Sequence, residues 1–297
     1  MYFGSYPQTE IAAEETKDTK ADVDPGLFSK LKAATDWDSN NDTVIDGVKY
    51  RRCNSDYVYQ MRTTYLSSGN MRYADESDYK WFSDNDLDTY HYFRYEPVKW
   101  RVYEVNENNL LLTSSKMLDL CNYGDNKVDA DNDYAKVQAD SYKNSKLRTF
   151  LNGLGADENA AKFDCKDKGM LQLMFTEDER SYLIAVDTTN GTNDLMTVPS
   201  VEDVSGDLGY AHGFYKKKSA ESNMRKTFTT DFAGTSFESP LLRNDPKKSS
   251  SSNTLLVYQI STQGDITTIF QDYTLGVLPM VKVSLDCPSL QKVEDEE

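Results

Sequence analysis

Tyr92 to Val105 is the stretch that most restricts the fold. Val98, Trp100, Val102 and Glu104 fall on one side of an extended chain, and Lys99, Arg101 and Tyr103 on the other. A period of two is what a half-buried strand requires, whereas a helix would scatter the same residues around its axis. Asn106-Glu107-Asn108-Asn109 then has turn chemistry, and Leu110-Leu111-Leu112 returns as a more fully buried partner strand.

Further strands surround that pair. Thr43-Val44-Ile45 and Val48-Lys49-Tyr50 flank Asp46-Gly47, a dipeptide suited to the positive φ angles of a tight hairpin turn. Leu255–Ile260, Asp265–Phe270 and Gly276–Leu285 read as three more, the first two joined through Ser261-Thr262-Gln263-Gly264. Helices are fewer. Asp24-Pro25-Gly26 starts a short amphipathic one that carries Leu27, Phe28 and Leu31 and ends near Thr35. Ser145 caps another, with Leu147, Phe150, Leu151 and Leu154 on one face. Thr176-Glu177-Asp178-Glu179 matches a capping box, and Ser200 before Val201-Glu202-Asp203 is a weaker version.

The polar, mostly acidic segment Thr9–Asp24 has too few apolar positions to dock firmly and reads as a loop or a loosely held helix. Residues 66–91 read as a long acidic loop insertion, and Lys247-Lys248 with the serines after them as an exposed tip. The expectation is one α+β domain over residues 1–290, with antiparallel strands, a few helices and long irregular loops, followed by an acidic tail over 291–297.

Charge narrows the partners. Lys and Arg number 33 against 49 Asp and Glu, a formal net charge of −16 in 297 residues. Such a surface repels phosphate backbones and anionic headgroups, so no nucleic-acid partner is expected. No run approaches the roughly 18 apolar residues of a membrane helix, so no membrane insertion is expected either. The first residues show neither the basic nor the apolar stretch of a signal peptide, which leaves a cytoplasmic chain or an exported one whose leader is missing. Cys53, Cys121, Cys165 and Cys287 lie far apart with no C-x-x-C pair, and both two disulfides and four buried thiols fit that spacing. His91 and His212 are the only histidines, and neither sits beside a serine or cysteine in a nucleophile motif.

Several stretches taken in order resemble a family of uncharacterised bacterial domains, domain-of-unknown-function family 6273. They are Tyr2-Phe3-Gly4-Ser5-Tyr6-Pro7-Gln8, Asp46-Gly47-Val48-Lys49-Tyr50-Arg51 and Glu96-Pro97-Val98-Lys99-Trp100-Arg101-Val102, then Lys116-Met117-Leu118-Asp119 and Ser145-Lys146-Leu147-Arg148-Thr149-Phe150-Leu151-Asn152. The pattern weakens near the end, where Leu278 stands in a position that the family fills with arginine. If that arginine bridges a buried carboxylate in relatives, this chain has lost the pair or replaced it with packing. The C-terminal part also resembles the C-type-lectin-like domains of the formylglycine-generating kind. These resemblances imply a C-type-lectin-like core and an extracellular or cell-envelope protein.

Candidate sites come from two residue classes. Tyr79, Trp81, Phe82 and Tyr90 belong to a crowd of aromatics between Tyr57 and Tyr95. Buried, they would anchor the long insertion; exposed, they would stack on sugar rings or a protein surface. Asp36, Asp38, Asn40 and Asp42, and again Asp129, Asp131 and Asp133, have the one-residue gaps that converge on calcium in EF-type loops, although the required glycine is absent from both. A plain polar loop is the alternative for each, and no other cofactor is indicated. The function expected is a non-catalytic binding or surface-display module for a glycan or protein partner. The rival is an enzyme, either a carboxylate-pair hydrolase or an oxidase of the formylglycine-generating type.

Overall fold

The computed structural model describes residues 1–15, 21–54, 63–66, 69–72, 79–81, 88–124, 139–159, 165–166, 168–188, 191–205, 228–234, 239–250 and 254–293. It is an α+β fold rich in strands, with a few short helices between them. The main sheet contains β1 (Tyr2–Ala12), β2 (Asp22–Val23), β3 (Asp42–Ile45), β4 (Val48–Cys53), β5 (His91–Val105), β6 (Asn109–Ser114), β7 (Leu183–Ile184), β8 (Met196–Thr197) and β9 (Met280–Ser284). Its order runs β7-β9-β6-β5-β1-β2, with β8 also on β9 and the β3-β4 hairpin on β5. Only the β1-β2 pair is parallel.

The long strand β5 holds the sheet together because three others pair along it. Its first half lies against β1, from Ile11 opposite Tyr92 to Tyr2 opposite Lys99, and against β4, from Cys53 opposite His91 to Tyr50 opposite Arg94. Its second half pairs with β6, which continues to β9. Val98 and Trp100 point into the core as the alternation requires. Val102 stands opposite the core residue Leu112 on that same face but is 39% exposed, while Tyr103 on the other face is 5% exposed because a second apolar cluster with Met117, Leu242, Leu278 and Met280 covers it. A register shift follows between Val102 and Glu104, where one extra residue bulges the strand.

The β3-β4 turn has Asp46 at φ 52° and Gly47 at φ 81°, as a tight hairpin requires. The C-terminal run is two strands rather than one, Leu275–Val277 and β9, broken at Leu278-Pro279 because proline has no N–H for the ladder. Leu278 is buried among Tyr103, Leu242 and Met280. Lys247–Lys248 is no loose tip, since it pairs with Leu255 and Leu256 in a three-stranded sheet with Leu255–Ile260 and Ile266–Phe270. Gln291 is no tail residue either: it exchanges backbone hydrogen bonds of 2.7 and 2.9 Å with Tyr2.

Among the described residues there are four α-helices. α1 (Pro25–Ala33) is capped by the Asp24 side chain and buries Leu31 against Ile11, Tyr50 and Tyr92. α2 (Lys146–Asn152) is capped by Ser145, buries Leu147, Phe150 and Leu151, and stops at left-handed Gly153. α3 (Met170–Met174) leads through Phe175, which packs on Phe3 and Trp100, into α4 (Glu177–Ser181) with its capping box of Thr176 and Glu179. No described helix is long and apolar enough to cross a membrane.

Candidate functional site

Two prolines shape a surface cleft. Pro7 in β1 and Pro97 in β5 each lack an N–H, so the ladder between these strands cannot run unbroken. The register slips between Pro7 and Thr9 and leaves Gln8 as the extra residue. Its side chain takes over the missing pairing, with Nε2 donating to the carbonyls of Glu96 (3.0 Å) and Pro97 (3.3 Å), while its own carbonyl accepts from Phe232 N. Gln8 thereby becomes the buried floor of a cleft of about 180 Å³. Tyr2 from β1, Glu96, Pro97 and Lys99 from β5, and Ser115, Lys116 and Leu118 from the segment after β6 form its walls. Lys99 and Lys116 are exposed on the rim and Leu118 is buried beneath. The Ser115 hydroxyl donates to the Lys99 carbonyl at 2.8 Å, which ties two of the walls together.

Below the cleft Asp119 is fully buried, and its carboxylate accepts from the hydroxyls of Tyr6 and Tyr79 and from Leu120 N. Two tyrosines on distant segments thus fix the strand that carries Lys116 and Leu118. Beside the cleft lies a second acidic group. Glu10 Oε1 is 2.7 Å from His91 Nδ1, Glu10 N donates to Asp231 Oδ2 at 3.1 Å, and Glu10 Oε2 is buried with no hydrogen-bond partner among the described residues. Burial raises the Asp231 carboxyl above its ordinary value; the Glu10 backbone N–H opposes the rise more than the Glu10 charge adds to it, and Lys116 opposes it too. The cleft itself carries two ammonium groups against one carboxylate, a local positive balance in a chain of −16.

The aromatic candidates lie elsewhere. Tyr79 and Trp81 are 2% and 4% exposed, and Trp81 packs on Phe93 and Phe232 while its Nε1 donates to the Phe232 carbonyl. An exposed stacking platform is therefore not built from these two, which pin the insertion to the core. Tyr90 is half-buried, and its ring faces the Arg52 guanidinium, which also covers Trp37. Phe82 lies outside the described residues.

The calcium expectation at residues 36–42 is corrected as well. Asp42 turns inward to Arg51 Nε (2.7 Å) and Nη2 (2.9 Å), to Lys49 Nζ (2.9 Å) and to the Tyr95 hydroxyl (2.9 Å). Asp38 accepts from the backbone of Asn40 and Asp42, and Asp36 from the Thr43 hydroxyl. These oxygens close a turn instead of converging on a cation, and no group of three His, Cys, Asp or Glu able to hold a metal occurs among the described residues. Asp129, Asp131 and Asp133 lie outside them. No disulfide joins the four cysteines, which are buried thiols.

Sequence reasoning did not find Gln8, Glu96, Lys99 and Lys116 as one site. The available signal was a proline inside each of two strands. Glu10 was hidden by reading Thr9–Asp24 as a loop or helix, whereas β1 extends to Ala12 and buries Ile11. Compared with family models, curated proteins and solved structures, the chain matches none.

Proposed function

We propose that the chain is a non-catalytic binding module that recognises a glycan, and that an acidic sugar of that glycan enters the cleft above Gln8. The observation that carries this reading is that Lys99 and Lys116 line the same small cleft. Their ammonium groups suit a carboxylate, the Ser115 oxygen and the Glu96 carboxylate offer acceptors for sugar hydroxyls, and Tyr2 and Pro97 offer an apolar edge for the ring face. A volume of about 180 Å³ fits one sugar unit rather than a polymer segment. A C-type-lectin-like core and an extracellular or envelope location accord with this role; the cytoplasmic alternative would call for a free acidic metabolite or a protein partner at the same cleft.

A glycan array that includes acidic and neutral glycans tests the reading. Binding should be confined to acidic members, and Lys99→Glu with Lys116→Glu should reduce it by about 100-fold or more, the size expected for two charge-assisted contacts. Binding of neutral glycans only, or acidic binding unchanged in the double variant, would overturn it. A second reading, a carboxylate-pair hydrolase, draws on Glu10 beside the partly buried Asp231, whose carboxyl burial holds above its ordinary value. Hydrolysis of an array member that is abolished by Asp231→Asn would favour that enzyme instead.

A further inference from the structure

The three-stranded sheet ends in an open edge. Leu255–Ile260 is flanked on one side by Lys247–Lys248 and by Pro240 and Leu241, and on the other by Ile266–Phe270. Among the described residues Ile266–Phe270 pairs with that one strand only, and on its outer side only the Phe270 carbonyl is taken up, by Tyr273 N at 3.2 Å, which leaves the backbone groups of Ile266 and Thr268 facing outward. A strand edge in water commonly carries a lysine, a proline, a bulge or a covering loop, because an uncovered row of N–H and C=O groups is a template for another strand. This one has none of the first three: its residues are Ile, Thr, Thr, Ile and Phe, and its register is unbroken from Ile260 opposite Ile266 to Leu256 opposite Phe270. At its end Phe270 and Tyr273 present exposed rings with centroids 6.2 Å apart, an anchor point for an apolar side chain.

We propose that this edge accepts an extended, basic-flanked peptide strand from a partner protein. β-Strand addition supplies the backbone hydrogen bonds, and the Phe270-Tyr273 ring pair supplies the side-chain contact. Charge selects the occupant. The strand itself is uncharged but lies between Asp265 and Asp272 on a chain of net charge −16. A second copy would bring the same charge against itself, whereas lysines or arginines on either side of a partner strand would be attracted. The edge shares no residue with the cleft above Gln8, so the two surfaces can be tested separately.

The probe is a labelled ten-residue peptide of alternating valine and threonine with lysines at both ends, titrated into the full chain by fluorescence anisotropy with hydrogen exchange read in parallel. Saturable binding is expected, together with slowed exchange at the amides of residues 266–270. An otherwise identical peptide N-methylated on alternate residues should bind about 10-fold more weakly or less, since it loses the hydrogen bonds but keeps the charge. Glutamates in place of the lysines should also weaken binding, with the difference shrinking in about 0.5 M salt. No binding up to about 1 mM peptide, or binding without protection at 266–270, overturns the proposal. So does protection that appears without peptide as a dimer forms on concentration, because a second copy is then the occupant.

Discussion

The Asp42 carboxylate faces Arg51, Lys49 and the Tyr95 hydroxyl at once, with Arg51 fully buried and Lys49 half in water. Removing one member of a buried ion pair strands the charge of the other and costs about 3–5 kcal/mol. Thermal melts of Arg51→Met should show a loss of that order, and those of Lys49→Met a much smaller one. The same group sets a response to acid. Burial opposes the charged form of Asp42, but Arg51 and Lys49 together outweigh it and hold the carboxyl below its ordinary value. As pH falls the unfolded chain therefore takes up this proton first, so the stabilisation is whole at neutral pH and is lost as pH drops below about 4, through the folded value. Asp42→Asn should be less stable than the parent at pH 7, and the gap in Tm should close in acid; a gap unchanged down to pH ~2 would refute the pairing. The one-residue gaps at 36–42 pointed Asp42 toward calcium, and the signal for its inward pairing lay instead in the hairpin register. A two-residue turn at Asp46-Gly47 sets Asp42 opposite Arg51, and that register argues for an internal pair over a calcium ligand.

At the level of elements, close approach decides what the chain tolerates. Gly276 lies in a short strand between the Asp119–Cys121 strand and the Ser239-Leu241 segment, and a methyl group on its Cα would collide with Met117 Sδ. Gly276→Ala should destabilise by about 1–3 kcal/mol through overpacking. Shortening the neighbour in Gly276→Ala with Met117→Ala should cost less than the two single losses added together; strict additivity in a double-mutant cycle would show that the two do not touch. Periodicity and caps made the hairpin, α1, α2, the capping box at Thr176 and the Leu255–Ile260 strand readable. It did not reveal where strands slip. The shift at Val102–Glu104 and the one at Pro7–Thr9 arise from pairing with residues far along the chain, and local pattern carries no record of a distant register. The cleft is built on the second of these shifts, which is why its residues were overlooked while its prolines stood in plain view.

The molecule as a whole keeps its thiols inside. Cys53, Cys121, Cys165 and Cys287 are all buried and none is in a disulfide. A thiol reagent should react slowly with the native protein, at a rate set by unfolding, and should titrate all four at once in denaturant. Fast labelling of a single cysteine in the native state would locate a region that opens by itself. The α+β character was legible at this scale because alternating runs and capped helices each carry a local signal of their own, but the joining of the two ends was not. Tyr2 and Gln291 hold one another by a backbone pair, and β1 lies in the same sheet as the C-terminal β9. Any flanking polypeptide therefore enters and leaves at one corner, so the fold would hang from a host as a lobe on a double tether. Tension along that polypeptide would load the Tyr2–Gln291 bridge as a zipper, one bond at a time, and then peel β1 from β5, distorting the cleft above Gln8 before the rest of the core gives way.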